Sequence, residues 1–124
     1  MARKSRQSHS GPSQRQLRVG EELRHQLSAL LMRQETHIAE LDSVPITVTE
    51  VSVSPDLSNA QVFVMSLGGE EIDRILPALN QAAPLLQHQI ASKMHLRRMP
   101  RLKFSADTGF DTAEHMASLF AKLT

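Results

Sequence analysis

Cysteine, tryptophan and tyrosine are all missing from the 124 residues of this chain. Without cysteine, disulfides, thiolate zinc sites and cysteine nucleophiles are excluded together. No apolar run approaches the roughly 20 residues that a membrane span needs. The basic N-terminus is not followed by the apolar core of a secretory signal. We therefore expect a cytoplasmic protein with no membrane partner.

Aromatic residues are scarce, at 3% of the chain, and all four are phenylalanine. Modules that recognise RNA by base stacking need exposed aromatic rings. Phe63, Phe104 and Phe120 lie in apolar patterns that predict burial in the core. Any nucleic-acid binding is therefore expected to depend on charge, backbone groups and shape.

Motifs for catalysis and for cofactor binding are also missing. Gly68 and Gly69 lack the following Lys-Ser/Thr of a phosphate-binding loop. His88 and His95 have no obvious third ligand, which favours a solvent-exposed pair over a metal site. Turn sequences account for three further candidate acid–base groups, Asp56, Asp107 and Asp111. We predict no enzyme activity, cofactor, metal or small-molecule substrate.

The length of the chain fits one domain, and its 40% hydrophobic residues are enough for a packed interior. Residues 1–12 are polar and basic, which predicts a disordered N-terminal arm. Residues 13–124 are then the folded domain.

Helical spacing of apolar residues predicts a helix over residues 14–34, with Ser13 as its N-cap. β-branched residues predict strands over residues 46–54 and 60–67, separated by turn residues. Acidic residues after Gly69 begin a second helix, in which Pro77 is expected to cause a bend or a late start.

Pro84 suits the first position of a new helix, so Ala82, Ala83 and Pro84 predict a sharp break between two helices. A short strand over residues 101–106 and a helix over residues 112–122 complete the chain. The predicted fold class is α+β, in the order α-β-β-α-α-β plus a C-terminal helix.

Five cations and no acid occupy residues 93–103, here called the basic segment: Lys93, Arg97, Arg98, Arg101 and Lys103. Interleaved apolar residues should anchor this segment to the core and direct the cations outward. Phosphate contacts would release counterions and make binding salt-dependent, and arginine donates to phosphate bidentately. The alternative is a solvated basic edge with no ligand. The net charge of +1 favours neither RNA binding nor a basic edge without a ligand, because these hypotheses differ in the distribution of charge and not in its total.

The first helix carries three weaker RNA-binding candidates, Arg15, Arg18 and Arg24. With the basic arm, they add positive charge without compensating acid nearby, which raises the case for nucleic-acid binding.

The element order resembles that of a type II KH domain, with a three-stranded sheet and helices packed on one of its faces. Four stretches are similar to the ribosome-binding factor A family: residues 16–23, 49–64, 79–83 and 96–107. Together they cover roughly residues 14–107. The resemblance implies a cytoplasmic protein that binds the maturing small ribosomal subunit and assists late folding and processing of its ribosomal RNA. It also implies a non-catalytic role that matters most in the cold.

In that family the nucleic-acid loop of KH domains shrinks to a kink of the form Ala-x-Gly, which corresponds here to Ala82, Ala83 and Pro84. Proline cannot donate a backbone hydrogen bond and blocks the close approach that glycine permits. Gln87 stands where the family often carries a basic residue. Both departures move the predicted RNA contacts towards Arg97 and Arg98.

The leading hypothesis is therefore a monomeric ribosome assembly factor whose cations hold ribosomal RNA phosphates. Two alternatives are a protein-interaction module and a general nucleic-acid binder without ribosomal specificity. The salt dependence of the affinity distinguishes the leading hypothesis from a protein-interaction module. RNA binding weakens steeply as salt rises, whereas binding through an apolar protein interface does not. Competition with bulk RNA separates the second.

Overall fold

A computed structural model of the chain describes residues 11–66 and 71–107. The helices are α1 (Gln14–Met32), α2 (Ala39–Asp42) and α3 (Ile72–Ala91), and the strands are β1 (Ile46–Val53), β2 (Asn59–Ser66) and β3 (Arg101–Ala106). The predicted α+β class is confirmed. Most of the predicted N-terminal arm and the whole predicted C-terminal helix lie outside the described residues.

The three strands form one sheet in the order β1-β2-β3. β1 pairs with β2 antiparallel, and β2 pairs with β3 parallel, so α3 forms the crossover that a parallel pair requires. Both long helices pack on the same face of the sheet, as predicted. The fully buried side chains between them and the sheet include Leu23, Leu27, Ile75, Leu79, Leu86, Val62, Val64 and Phe104. The opposite face is here called the open face.

A bulge in β1 keeps its apolar residues on the helix side. The register shifts between Val48 and Glu50, which leaves Thr49 as the extra residue. The Thr49 hydroxyl donates to the carbonyl of Phe63 at 3.2 Å. Because side chains alternate along a strand, this insertion lets Val48 and Val53 both point towards the helices.

The start of α1 is tied to the end of β1. Ser13 and Gln16 form a reciprocal capping box, and the Gln16 amide also donates to the carbonyl of Val53 at 2.8 Å. Gly20 brings the helix against β1, because a Cβ at this position would lie 2.9 Å from the Val51 carbonyl oxygen. The N-terminal turn of α1 is therefore fixed beside the β1–β2 turn.

The two helices predicted on either side of Ala82–Ala83–Pro84 are one continuous helix, so the predicted break is wrong. Pro77 and Pro84 are seven residues apart and exposed, which puts both rings on the solvent side of α3. The carbonyls that lose their usual donors belong to Asp73 and Asn80, which are also exposed. A helix that is convex towards solvent tolerates prolines on that side.

Side chains of α3 complete the outer edge of β3. Asn80 accepts from the backbone N–H of Phe104 at 2.8 Å and donates to the carbonyl of the same residue at 3.0 Å. The Gln87 carbonyl oxygen accepts from the N–H of Leu102 at 3.2 Å. These contacts pair backbone groups that a neighbouring strand would otherwise pair.

The connection between α1 and β1 contains α2 and a hydrogen-bond network. Asp42 accepts from the hydroxyl of Thr36 at 2.7 Å and from the backbone N–H groups of Thr36 and His37, each at 3.1 Å. The Gln89 amide donates to the carbonyl of Thr36 at 2.9 Å, which links this connection to α3.

Candidate nucleic-acid interface

Three arginines from distant parts of the sequence line one surface cleft. Arg15 comes from the first turn of α1, and Arg97 and Arg98 come from the loop between α3 and β3. The β1–β2 turn forms the other wall, through Pro55, Asp56 and Leu57. We call this the arginine cleft. Its three guanidinium groups are exposed and form no ion pair within residues 11–66 and 71–107.

The loop that carries Arg97 and Arg98 is anchored on both sides by apolar residues. Met94 and Pro100 are buried, and Leu96 and Met99 pack against the core. The predicted anchoring of the basic segment is confirmed. It holds the backbone of the two arginines in place and leaves their side chains to solvent.

The opposite wall of the cleft is a turn organised by Asp56. One of its carboxylate oxygens accepts from the hydroxyls of Ser58 and Ser54, at 2.7 and 2.8 Å, and from the Ser58 N–H at 3.1 Å. These bonds, led by the Ser58 hydroxyl, lower the pKa of Asp56 to about 2. Leu57 adopts the left-handed region at φ 63° and packs against the core. Turn chemistry accounts for Asp56, as predicted.

The other cations of the basic segment do not line the arginine cleft. Lys93 lines a separate cleft with Glu35, His37 and Gln89. Arg101 and Lys103 alternate with the buried Leu102 along β3, so both lie on the open face. The basic segment therefore presents cations in three directions rather than on one continuous surface.

The candidates on α1 differ in how they are paired. Arg24 donates to both carboxylate oxygens of Glu21, with N–O distances of 2.6 to 3.1 Å. This bonding lowers the pKa of Glu21 and raises the pKa of Arg24. Arg18 is exposed and has no ion pair among the described residues. The expectation that no acid compensates the cations of the first helix is wrong for Arg24.

Ala82, Ala83 and Pro84 lie in the middle of α3. Ala83 is buried, Ala82 is half-buried against the core and Pro84 is exposed. Gln87 lies about one turn further on, and its side-chain carbonyl oxygen accepts a hydrogen bond from the backbone N–H of Leu102 at the edge of β3. A basic side chain offers no acceptor for that bond, so glutamine has a structural role at this position.

Phe63 is a candidate functional residue that the sequence pattern did not reveal. It lies on β2 between the inward-facing Val62 and Val64, is half-buried, and does not pack against the core. The predicted burial of Phe63 is therefore wrong, although that of Phe104 is right. The alternation of side chains along a strand was the signal that could have separated the two rings.

No helix within residues 11–66 and 71–107 is both long and apolar enough to cross a membrane. Within the same ranges, no group of three or more His, Cys, Asp or Glu side chains has an arrangement that could hold a metal ion.

The family model of ribosome-binding factor A matches residues 15–120. The chain belongs to this family. The match extends beyond residue 107, where the resemblance in the sequence was expected to end. The ribosome-binding factor A of Paramagnetospirillum magneticum is 51% identical over 108 residues, which are 87% of this chain and 76% of that protein. The Phenylobacterium zucineum member is 47% identical over 93% of this chain and 79% of its own length.

Solved structures of ribosome-binding factor A share the fold. The crystal structure of the Thermus thermophilus protein superposes with a TM-score of 0.59 at 27% identity, covering 73% of this chain and 94% of that one. A homology model of the Thermus thermophilus ribosome-binding factor A, fitted into the cryo-EM map of a complex between the 30S subunit and ribosome-binding factor A, gives a TM-score of 0.51 at 30% identity. It covers 68% of this chain and 90% of its own.

Proposed function

We propose that this chain binds the maturing small ribosomal subunit and assists the late folding and processing of its ribosomal RNA, acting as a cytoplasmic monomer without catalysis. Membership of the ribosome-binding factor A family supports this proposal, as does the fit of the Thermus thermophilus homology model into the map of a complex between the 30S subunit and ribosome-binding factor A. The observation that carries it here is the arginine cleft, which three exposed arginines line beside a fixed turn.

In the proposed mechanism, the arginine cleft holds backbone phosphates of the ribosomal RNA. Bidentate hydrogen bonds from Arg97 and Arg98 give both attraction and a defined orientation. Asp56 stays ionised at neutral pH, so its negative charge disfavours a phosphate against the turn and directs it towards the arginines. Arg15 completes the cleft from α1.

Assistance in folding follows from differential binding. A protein that binds one arrangement of an RNA more tightly than another shifts the population towards the first, by as much as the two affinities differ. No bond needs to be made or broken by the protein. We propose that this shift favours the processed arrangement and is needed most in the cold.

The remaining cations have graded roles in this proposal. Lys93, Arg101, Lys103 and Arg18 are exposed and without an ion pair in the described part of the chain, so they add contacts outside the cleft. Arg24 contributes least because its guanidinium already bonds Glu21. Pro84 makes no backbone donation, so α3 contributes through its side chains.

The deciding experiment is sedimentation of the tagged chain from cell extract. We expect the native chain to co-migrate with free small subunits and not with full ribosomes. The R97E/R98E double variant should move to the soluble fractions. A matched control, R33E/R74E, makes the same change in net charge at two exposed positions that do not line the arginine cleft. If R97E/R98E still co-migrates as the native chain does, the assignment of the arginine cleft is wrong.

Salt distinguishes this proposal from an apolar protein interface. Association through phosphates should weaken steeply between low and moderate salt. Association that is insensitive to salt would instead favour the protein-interaction alternative. Loss of association when bulk RNA is added would favour a general nucleic-acid binder.

A further inference from the structure

The open face of the sheet carries a row of polar side chains next to a half-buried aromatic ring, Phe63. Ser52, Gln61 and Lys103 are direct neighbours across the three strands, because Ser52 pairs with Gln61 and Gln61 pairs with Lys103. Phe63 lies two residues along β2, on the same face and within about 7 Å of that row by strand geometry. Its neighbours across the sheet are Glu50 and Ser105.

Several polar groups in this region have unused hydrogen-bonding capacity within the described residues. The Gln61 amide nitrogen donates to the Ser105 hydroxyl, and no partner is found there for its carbonyl oxygen. The ammonium of Lys103 and the guanidinium of Arg101 have no ion pair in the same part of the chain. A groove between the start of α1 and the ends of the strands opens onto Gln61 and Lys103.

We propose that the open face binds an unpaired nucleotide of RNA, with the base stacked on Phe63 and the adjoining phosphate held by Lys103 and Arg101. This inference rests on the proposed function for its ligand class, RNA, and concerns a surface separate from the arginine cleft. Aromatic rings on the face of a sheet provide stacking platforms for unpaired bases, and nearby cations hold the backbone.

Charge across the face sets the direction of the bound strand. Both cations lie on β3, at one edge, whereas Glu50 lies on β1 at the other. Phosphates are therefore attracted to the β3 side and repelled from the β1 side. A nucleotide backbone that follows β3 directs its base across β2 towards β1. Phe63 on β2 then offers its ring, and Gln61 on β2 and Ser52 on β1 offer hydrogen bonds to the base edge.

RNA fits this surface better than an apolar protein partner does. The aromatic ring is flanked by polar or charged side chains on both neighbouring strands, which an apolar interface would have to desolvate. Met65 is the other apolar side chain along this side of β2, and it is 43% exposed. A continuous apolar patch is therefore lacking in the described part of the face.

The test compares Phe63→Leu with Phe63→Tyr, using fluorescence anisotropy of a labelled short oligouridylate and of a short RNA duplex. Leucine keeps the apolar volume but removes the stacking surface, and tyrosine keeps the ring. We expect Phe63→Leu to weaken oligouridylate binding about fivefold to a hundredfold, from the energy of one stacked base. Phe63→Tyr should restore it. Duplex binding should be unchanged in both variants, because paired bases are not available to stack.

The native chain gives a second readout that does not depend on the stability of a variant. Photocrosslinking to an oligouridylate that contains 4-thiouridine should attach the base at Phe63 or its neighbours on β2. Equal oligouridylate affinities for the native chain and Phe63→Leu, or crosslinks confined to the arginine cleft, would overturn the proposal.

The outcomes separate this inference from the proposed function. If co-migration with small subunits is retained and Phe63→Leu binds oligouridylate as the native chain does, the open-face proposal is wrong and the proposed function stands. Crosslinking at Phe63 without any co-migration with small subunits keeps the site and removes the ribosomal assignment. Loss of affinity in Phe63→Leu and Phe63→Tyr alike, with no crosslink on β2, would point to a protein partner or to another segment of the chain on this face, against the proposal.

Discussion

The side-chain amide of Asn80 takes the place of a neighbouring strand for Phe104: it accepts from the backbone N–H at 2.8 Å and donates to the carbonyl at 3.0 Å. One side chain thereby pairs both outward backbone groups of a buried residue in β3. This contact, with the one from Gln87, fixes α3 along the edge of the sheet and positions the loop that carries Arg97 and Arg98.

Replacement of Asn80 by alanine should lower the free energy of unfolding by about 1–2 kcal/mol, because two hydrogen bonds to β3 are lost. Urea denaturation followed by circular dichroism measures the change. Gln81→Ala is the matched control, since Gln81 is an exposed neighbour on the same helix with no side-chain bond to the sheet among the described residues. Equal stabilities for the two variants would contradict the role given to Asn80.

The effect of replacing Gln87 on stability should depend on whether the new side chain carries a hydrogen-bond acceptor. Gln87→Glu keeps an acceptor for the N–H of Leu102, whereas Gln87→Lys leaves that buried donor without a partner. We expect the lysine variant to be about 1–3 kcal/mol less stable than the glutamate variant. Thermal unfolding of the two proteins at neutral pH tests this order. The reverse order would show that the bond at 3.2 Å contributes nothing.

Gly20→Ala should destabilise the protein although alanine favours helices. Helix propensity alone predicts a gain of about 1 kcal/mol. The added Cβ, however, would lie 2.9 Å from the Val51 carbonyl oxygen and 3.5 Å from a methyl of Val53. Since backbone lines the contact, we expect a net loss of about 1–3 kcal/mol from overpacking. His25→Ala, at an exposed position of the same helix, is the control in urea denaturation and should be close to neutral.

The depressed pKa of Asp56 predicts how the β1–β2 turn responds to acid. A carboxyl group whose pKa is lower in the folded state stabilises that state fully above its ordinary pKa of 3.8. The contribution is lost as pH falls from there through the folded-state pKa of about 2. NMR titration of the Asp56 carboxyl should give a midpoint near the lower value.

Ser58→Ala should raise that midpoint towards the ordinary value, because the Ser58 hydroxyl is the largest cause of the depression. The same titration of the variant supplies the comparison. An unchanged midpoint in Ser58→Ala would show that the hydroxyl does not bind the carboxylate in solution.

Two arginines of α1 should respond differently when each is replaced by glutamine. Arg15→Gln should weaken association with small subunits about tenfold, the value of one lost charge-assisted contact. It should also reduce the salt slope by about one. Arg24→Gln should change both quantities much less, because Arg24 already bonds Glu21. Affinities measured over a salt series test both expectations. Equal effects of the two substitutions would contradict the assignment of Arg15, rather than Arg24, to the RNA contact.

Local patterns predicted the parts of the fold that depend on local chemistry. The β-branched residues of β1 and β2 and the capping residue Ser13 predicted these elements to within a few residues. The break at Pro84 was wrong because the effect of a proline depends on which side of the helix it faces. That side is decided by how α3 packs on the sheet. The seven-residue spacing of Pro77 and Pro84 puts both rings on one side of α3, but only the packing shows that this side faces solvent.

The candidate site was predictable only in part, for the same reason. The charge and anchoring of Arg97 and Arg98 can be predicted from neighbouring residues. Their position next to Arg15 depends on the contact between α1 and the end of β1. This is a long-range contact that neighbouring residues in the sequence do not reveal. Phe63 was misassigned because an apolar strand was treated as buried on both faces, although helices cover one face within the described residues.

The way α3 closes one edge of the sheet also limits how copies of this protein can self-associate through their strands. Among the described strands, β1 is the remaining edge that another strand could join. Two molecules that pair along β1 use up the available edge of each, and the result is a closed, two-fold symmetric pair. Open-ended fibres need two accessible edges in every copy. This asymmetry protects the chain against open-ended association through its described strands.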